Sequence, residues 1–133
     1  FNEFRLEGAT CSIVVDQDNA ISVLANASGD QLLISLPEES ESGRTTDDWS
    51  GRLSVAMFAI AKINGPARTP ELARATYARL LTLAQAAVAK LSDDMTAGGC
   101  RMLAGISLTG LNVVPEYSIF GGWSGYSIEL TLE

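Results

Sequence analysis

The residues with the most obvious chemical potential are the acids of segment 37–49 (PEESESGRTTDDW). Glu38, Glu39, Glu41, Asp47 and Asp48 could present carboxylate oxygens to a divalent cation. They follow no EF-hand spacing, so the pattern gives no specific metal site. Gly98-Gly99-Cys100-Arg101 places a thiol beside a cation, which is one way to lower a thiol pKa. The plainer account is a turn leading into a buried strand. Asp93-Asp94 follows a helical pattern and reads as a helix-end signal, because negative charge opposes the dipole there. The chain has no histidine. That removes the usual general base and excludes Ser-His and Cys-His nucleophile pairs. No Walker loop and no dinucleotide fingerprint is present. The expectation is a protein that is not an enzyme, with no cofactor and no metal.

The elements that would carry these residues are more legible than the chemistry. Residues 70–92 read as a long helix: Thr69 suits the N-cap, Pro70 the first turn, and Glu71 the positive end of the dipole. Leu72, Leu80, Leu83, Ala84, Ala87 and Leu91 share an apolar arc with Tyr77, Leu81 and Val88. Glu71, Arg74, Arg79, Thr82, Gln85 and Lys90 fall opposite, with Ala75, Ala78, Ala86 and Ala89 among them. Small residues there would let another subunit approach closely, although helix propensity alone also accounts for them.

Residues 50–63 (SGRLSVAMFAIAKI) read as a long strand, apolar on both faces in its second half and therefore central in a sheet. Residues 31–36 form a shorter strand that stops at Pro37. The acidic segment between them is expected to be a loop, either mobile or used for contact. Residues 92–99 read as a break, 102–108 as a strand, and 107–116, with Gly110 and Pro115, as a connection. Residues 123–132 alternate cleanly and should form a half-buried strand with one wet face. Near the N-terminus, 11–15 is extended. Residues 19–28 are read as a short helix ending at Gly29, with a second strand as the alternative, and Asp16 and Asp18 are candidate caps.

The fold class that follows is α+β: one domain with an antiparallel or mixed sheet, and one long helix, with a short N-terminal helix, packed on one face. The chain's 133 residues suit a single domain, and 47% hydrophobic content supplies a core. No apolar run reaches the roughly 18 residues of a membrane span. A net charge of −7 argues against a phosphate-neutralising nucleic-acid surface. Residues 1–48 carry ten acids and two bases, and residues 49–101 carry seven bases and three acids. That division permits attraction between neighbouring subunits, or simply describes solvated surfaces. Cys11 and Cys100 lack metal or redox spacing and read as buried free thiols, which suits a reducing cytoplasm.

Residues 117–126 (YSIFGGWSGY) concentrate aromatics and glycines. The glycines allow a tight bend before the last strand. The aromatics, Trp123 foremost, are either a contact surface or a packed corner of the core.

The long strand after a polar loop, the helix from Thr69 to Leu91, and the closing NVVPEYSIFGGWSGYSIELTLE together resemble tail terminator, or tail completion, proteins of long-tailed phages and Mu-like prophages. The resemblance covers about residues 49–133. It implies a non-enzymatic subunit, made in the host cytoplasm, that assembles into a ring, commonly a hexamer, on the tail tube. Its partners would be copies of itself, the tail tube and the head-tail connector. An acidic lumen would let DNA pass without sticking. The acidic segment would then be a contact or lumen loop, and the helix face with Arg74 and Arg79 a subunit contact.

Overall fold

The computed structural model describes residues 8–36, 38–42, 50–62, 69–96 and 108–132. Their order is β1 (Thr10–Val14), α1 (Gln17–Leu24), β2 (Gln31–Ser35), β3 (Glu38–Ser42), β4 (Ser50–Lys62), α2 (Pro70–Thr96), β5 (Leu108–Ile119) and β6 (Trp123–Leu132). The strands form one mixed sheet in the order β1-β2-β4-β6-β5, with β3 also paired to β4. β1 and β2 are parallel, joined through α1, and every other pairing is antiparallel. The α+β class with one long helix is therefore the observed architecture.

Strand alternation divides the apolar residues between two faces. Leu32, Ile34, Val55, Met57, Ile128, Leu130 and Leu132 point toward α2, whose Leu80, Leu83, Ala84, Ala87 and Leu91 complete the larger core. Val14, Leu33, Ile60 and Trp123 point the other way and pack with Ala20 and Leu24 of α1. The two helices thus lie on opposite faces, where the sequence reading had grouped them on one. Each fully buried leucine or isoleucine contributes about 1.5–3 kcal/mol.

The helix caps follow from local chemistry. Thr69 Oγ1 accepts from the Leu72 N–H at 3.2 Å. Asp16 Oδ1 accepts from the Asn19 N–H at 2.7 Å, and Asn19 Oδ1 accepts from the Val15 N–H at 3.0 Å. With only eight residues, α1 cannot stand on helix propensity and depends on this cap and its buried stripe. Asp16→Ala is expected to lower global stability by about 1 kcal/mol. Urea denaturation checks this, and an unchanged midpoint would show that the cap is dispensable.

The short helix α1 spans Gln17–Leu24 where residues 19–28 were expected, and other details differ as well. α2 runs to Thr96 and passes through the anticipated break at 92–96. Asp93 costs the helix only about 0.3–1 kcal/mol, which is too little to end it there. Leu72, assigned to the apolar arc, is 43% exposed in the first turn. Residues 108–116 are strand, not connection. Pro115 is tolerated because β5 lies at the end of the sheet, where a missing N–H need not break a ladder. Register shifts between Leu108 and Gly110 and between Glu116 and Ile119 absorb the irregular spacing. The strand expected at 102–108 lies outside the described residues, except for Leu108.

The acidic segment is also corrected in part. Residues 38–42 form β3, paired antiparallel with residues 50–54 of β4, instead of a loop. β2 and β3 lie end to end along one edge of β4. From Ile34↔Met57 to Glu38↔Ser54, three residues intervene against two, so the edge carries a bulge. There the Ala56 N–H donates to Ser35 Oγ at 2.9 Å, a side chain replacing a ladder acceptor. Among the described residues no helix is long and apolar enough to cross a membrane.

Candidate functional site

α1 covers only part of its face of the sheet. Beside it, left uncovered by the described residues, Ser35, Ala56 and Phe58 line three adjoining depressions. The first, of about 220 Å³, lies between α1 and Phe120 and is lined largely by apolar groups. The second, of about 410 Å³, shares Gln17, Phe58 and Phe120 with it and adds Glu116 and Ser118. The third, of about 290 Å³, continues past Ala56 to Ser54 and Glu129. Val15, 63% exposed, and Leu36, 53% exposed, stand among the lining residues. Together these form a groove along the sheet, apolar beside α1 and mixed in polarity at both ends.

The aromatic end of the groove is fixed by the β5–β6 hairpin. The Gly122 N–H donates to the Ile119 carbonyl at 3.1 Å across a turn in which Phe120 and Gly121 both have positive φ, at 50° and 85°. This is the type I′ geometry that suits the twist of paired strands. A bulky residue in that region costs about 1–2 kcal/mol relative to glycine. Phe120 is held there with its ring edge-on to Phe58, centroids 5.0 Å apart at 84°. Ser118, also at positive φ, donates its N–H to Ser124 Oγ at 3.0 Å.

Glu116 supplies the charge of this end. Ser127, only 6% exposed, donates from Oγ to Glu116 Oε1 at 3.0 Å and thereby orients the carboxylate. The Glu116 carbonyl accepts from the Tyr77 hydroxyl of α2 at 2.8 Å, on the other face. Tyr77 also packs near Tyr117 and Tyr126, with centroids 5.6 and 5.9 Å away. Glu116 is therefore held from both sides of the sheet, its carboxylate by Ser127 and its carbonyl by Tyr77. An oriented carboxylate beside two aromatic rings is suited to receiving a cation with an apolar stem.

The residues singled out from sequence are dispersed. Glu38, Glu39 and Glu41 fall on β3, opposite Ser54, Leu53 and Gly51 of β4. Asp47 and Asp48 lie outside the described residues, as does Cys100. Cys11 is a half-buried free thiol on β1. Arg74 is exposed on α2. Arg79 is committed within the chain: its Nε and Nη2 donate to the two carboxylate oxygens of Asp30, both at 2.8 Å, tying α2 to the start of β2. That hydrogen bonding raises the guanidinium pKa above its ordinary value, against the opposing effect of burial. Trp123 is corrected: at 3% exposure it is a core residue beneath α1 and offers no surface for a partner. The groove residues Gln17, Phe58, Glu116 and Phe120 were not chosen from sequence. Phe58 and Glu116 meet only through the register of β4 and β5 across β6. No protein-family model matches the chain, and neither a curated protein nor a solved structure is significantly similar to it.

Proposed function

We propose that this chain is a structural subunit that works by self-association, of the kind that forms the terminating ring on the tail tube of a long-tailed phage or Mu-like prophage. The observation supporting self-association is the apolar depression beside α1, with Val15 exposed in it and Leu36 exposed in the depression next to it. A small domain gains by covering such a face, and a repeated subunit supplies the cover. The assignment to a tail terminator rests on the sequence resemblance, and another neck or minor tail component is the near alternative within that class. On this reading the partners are further copies, the tail tube and the head-tail connector, and the chain catalyses nothing.

A second reading, a small-ligand or peptide-binding module, draws on the depression of about 410 Å³ at Phe58 and Glu116, a volume within the range of small-molecule sites. Light scattering over a concentration series, at low and moderate salt, separates the two. The proposal expects a closed oligomer whose mass falls as salt screens its charged contacts. A strict monomer at every concentration overturns self-association in favour of the binding module.

A further inference from the structure

The groove carries an oriented acid and the outer face of α2 an exposed base, and the two lie on opposite faces of the sheet. Glu116 is the acid at the aromatic end of the groove, and Ser127 holds its carboxylate in place. Four basic side chains lie among the described residues with their surroundings known: Lys62, Arg74, Arg79 and Lys90. Arg79 is engaged by Asp30, and Lys90 also has an interaction within the chain. Lys62 alternates with Ile60 and Phe58, so it shares the groove's own face of the sheet. Arg74 lies on α2, on the far side, and makes no hydrogen bond or ion pair among the described residues. Its same-face neighbours on the exposed helix surface are Glu71, three residues before it, and Ala78, four after it, and the small Ala78 lets that surface approach a sheet closely.

We propose that the groove receives the outer face of α2 from a second copy, with that copy's Arg74 placed against Glu116 and the rings of Phe58 and Phe120. The inference rests on the self-association reading above and adds the contact that carries it. A guanidinium suits this seat because its planar fork matches a carboxylate while its face stacks on aromatic rings. The rest of the helix surface would cover the open strip beside α1. Because the two patches are different and lie on opposite faces, the association is heterologous. Each copy offers one groove and one helix, and the series closes into a ring if the rotation allows. With a net charge of −7, two copies repel at long range, so a specific acid-base contact is what would set their register.

A charge-swap series tests this, read by sedimentation velocity over concentration, with circular dichroism confirming the fold. Arg74→Glu and Glu116→Arg are each expected to weaken assembly about 30-fold or more, and the double variant to recover to within about 3-fold of wild type. Arg74→Glu alters an exposed side chain with no bond to lose among the described residues, so it keeps the test valid even if Glu116→Arg folds poorly. If wild type assembles and Arg74→Glu leaves it unchanged, this contact is wrong while self-association stands. If Lys62→Glu weakens assembly instead, the copies meet groove to groove and the proposal fails. A wild-type monomer at all concentrations overturns both the contact and the reading beneath it.

Discussion

Gly125→Ala is expected to destabilise the protein by about 3 kcal/mol or more, among the largest effects available to a single added methyl group. Gly125 lies in β6 opposite Ile60 of β4 and Glu116 of β5, near the middle of the sheet. A Cβ built there would lie 2.0 Å from the Ala59 carbonyl oxygen and 3.0 Å from both the Ala59 carbonyl carbon and the Ile60 Cα. All three are backbone atoms of the neighbouring strand, so no rotamer change can relieve the clash. β4 and β6 would have to separate, and their ladder joins the two cores. Gly121→Ala is the matching control. Nothing lies within 4 Å of a Cβ there, and the residue sits in the hairpin turn at a φ of 85°. Its cost is the left-handed backbone alone, about 1–2 kcal/mol. Urea denaturation of the two variants should separate them clearly. A Gly125→Ala variant no less stable than Gly121→Ala would show that the strands can yield at that crossing.

The contrast between these glycines marks what the sequence could and could not reveal. Both stand in the same aromatic-glycine segment, and the expectation of a bend before the last strand was met at Phe120 and Gly121. The close crossing at Gly125 was invisible because it depends on which strand lies alongside β6. Elements with their own periodicity were legible: α2 from its cap and apolar arc, and the centrality of β4 from its two apolar faces. Elements set by pairing were not. β3 has the composition of a solvated loop, and its strand pairing with β4 is a long-range fact. β5 carries Gly110 and Pro115, which argue against a strand until its place at the sheet's end is known. The candidate site failed for the same reason. Arg79 looked available until Asp30, forty-nine residues away in sequence, was found beside it. Phe58 and Glu116 gain meaning only when β6 sets them near one another.

Trp123 gives the sharpest test of that distinction. Its aromatic and glycine-rich surroundings suggested a contact residue, whereas the structure buries it with Val14, Ala20, Leu24, Leu33 and Ile60. Truncation to alanine removes the largest side chain of this smaller core and leaves a cavity under an eight-residue helix. The expected loss is about 3–5 kcal/mol, enough to threaten the folded state of a domain whose whole stability is about 5–15 kcal/mol. Trp123→Phe should retain much of it, since an aromatic ring still fills the space. The measurement is chemical denaturation at a concentration where wild type has dissociated, so that subunit contacts do not enter. A residue acting at an interface would show the reverse: an unchanged denaturation midpoint for the dissociated chain and weaker assembly. If Trp123→Ala behaved in that second way, the packing of α1 against the sheet would be wrong. The groove beside α1, and the contact proposed within it, would lose their foundation as well.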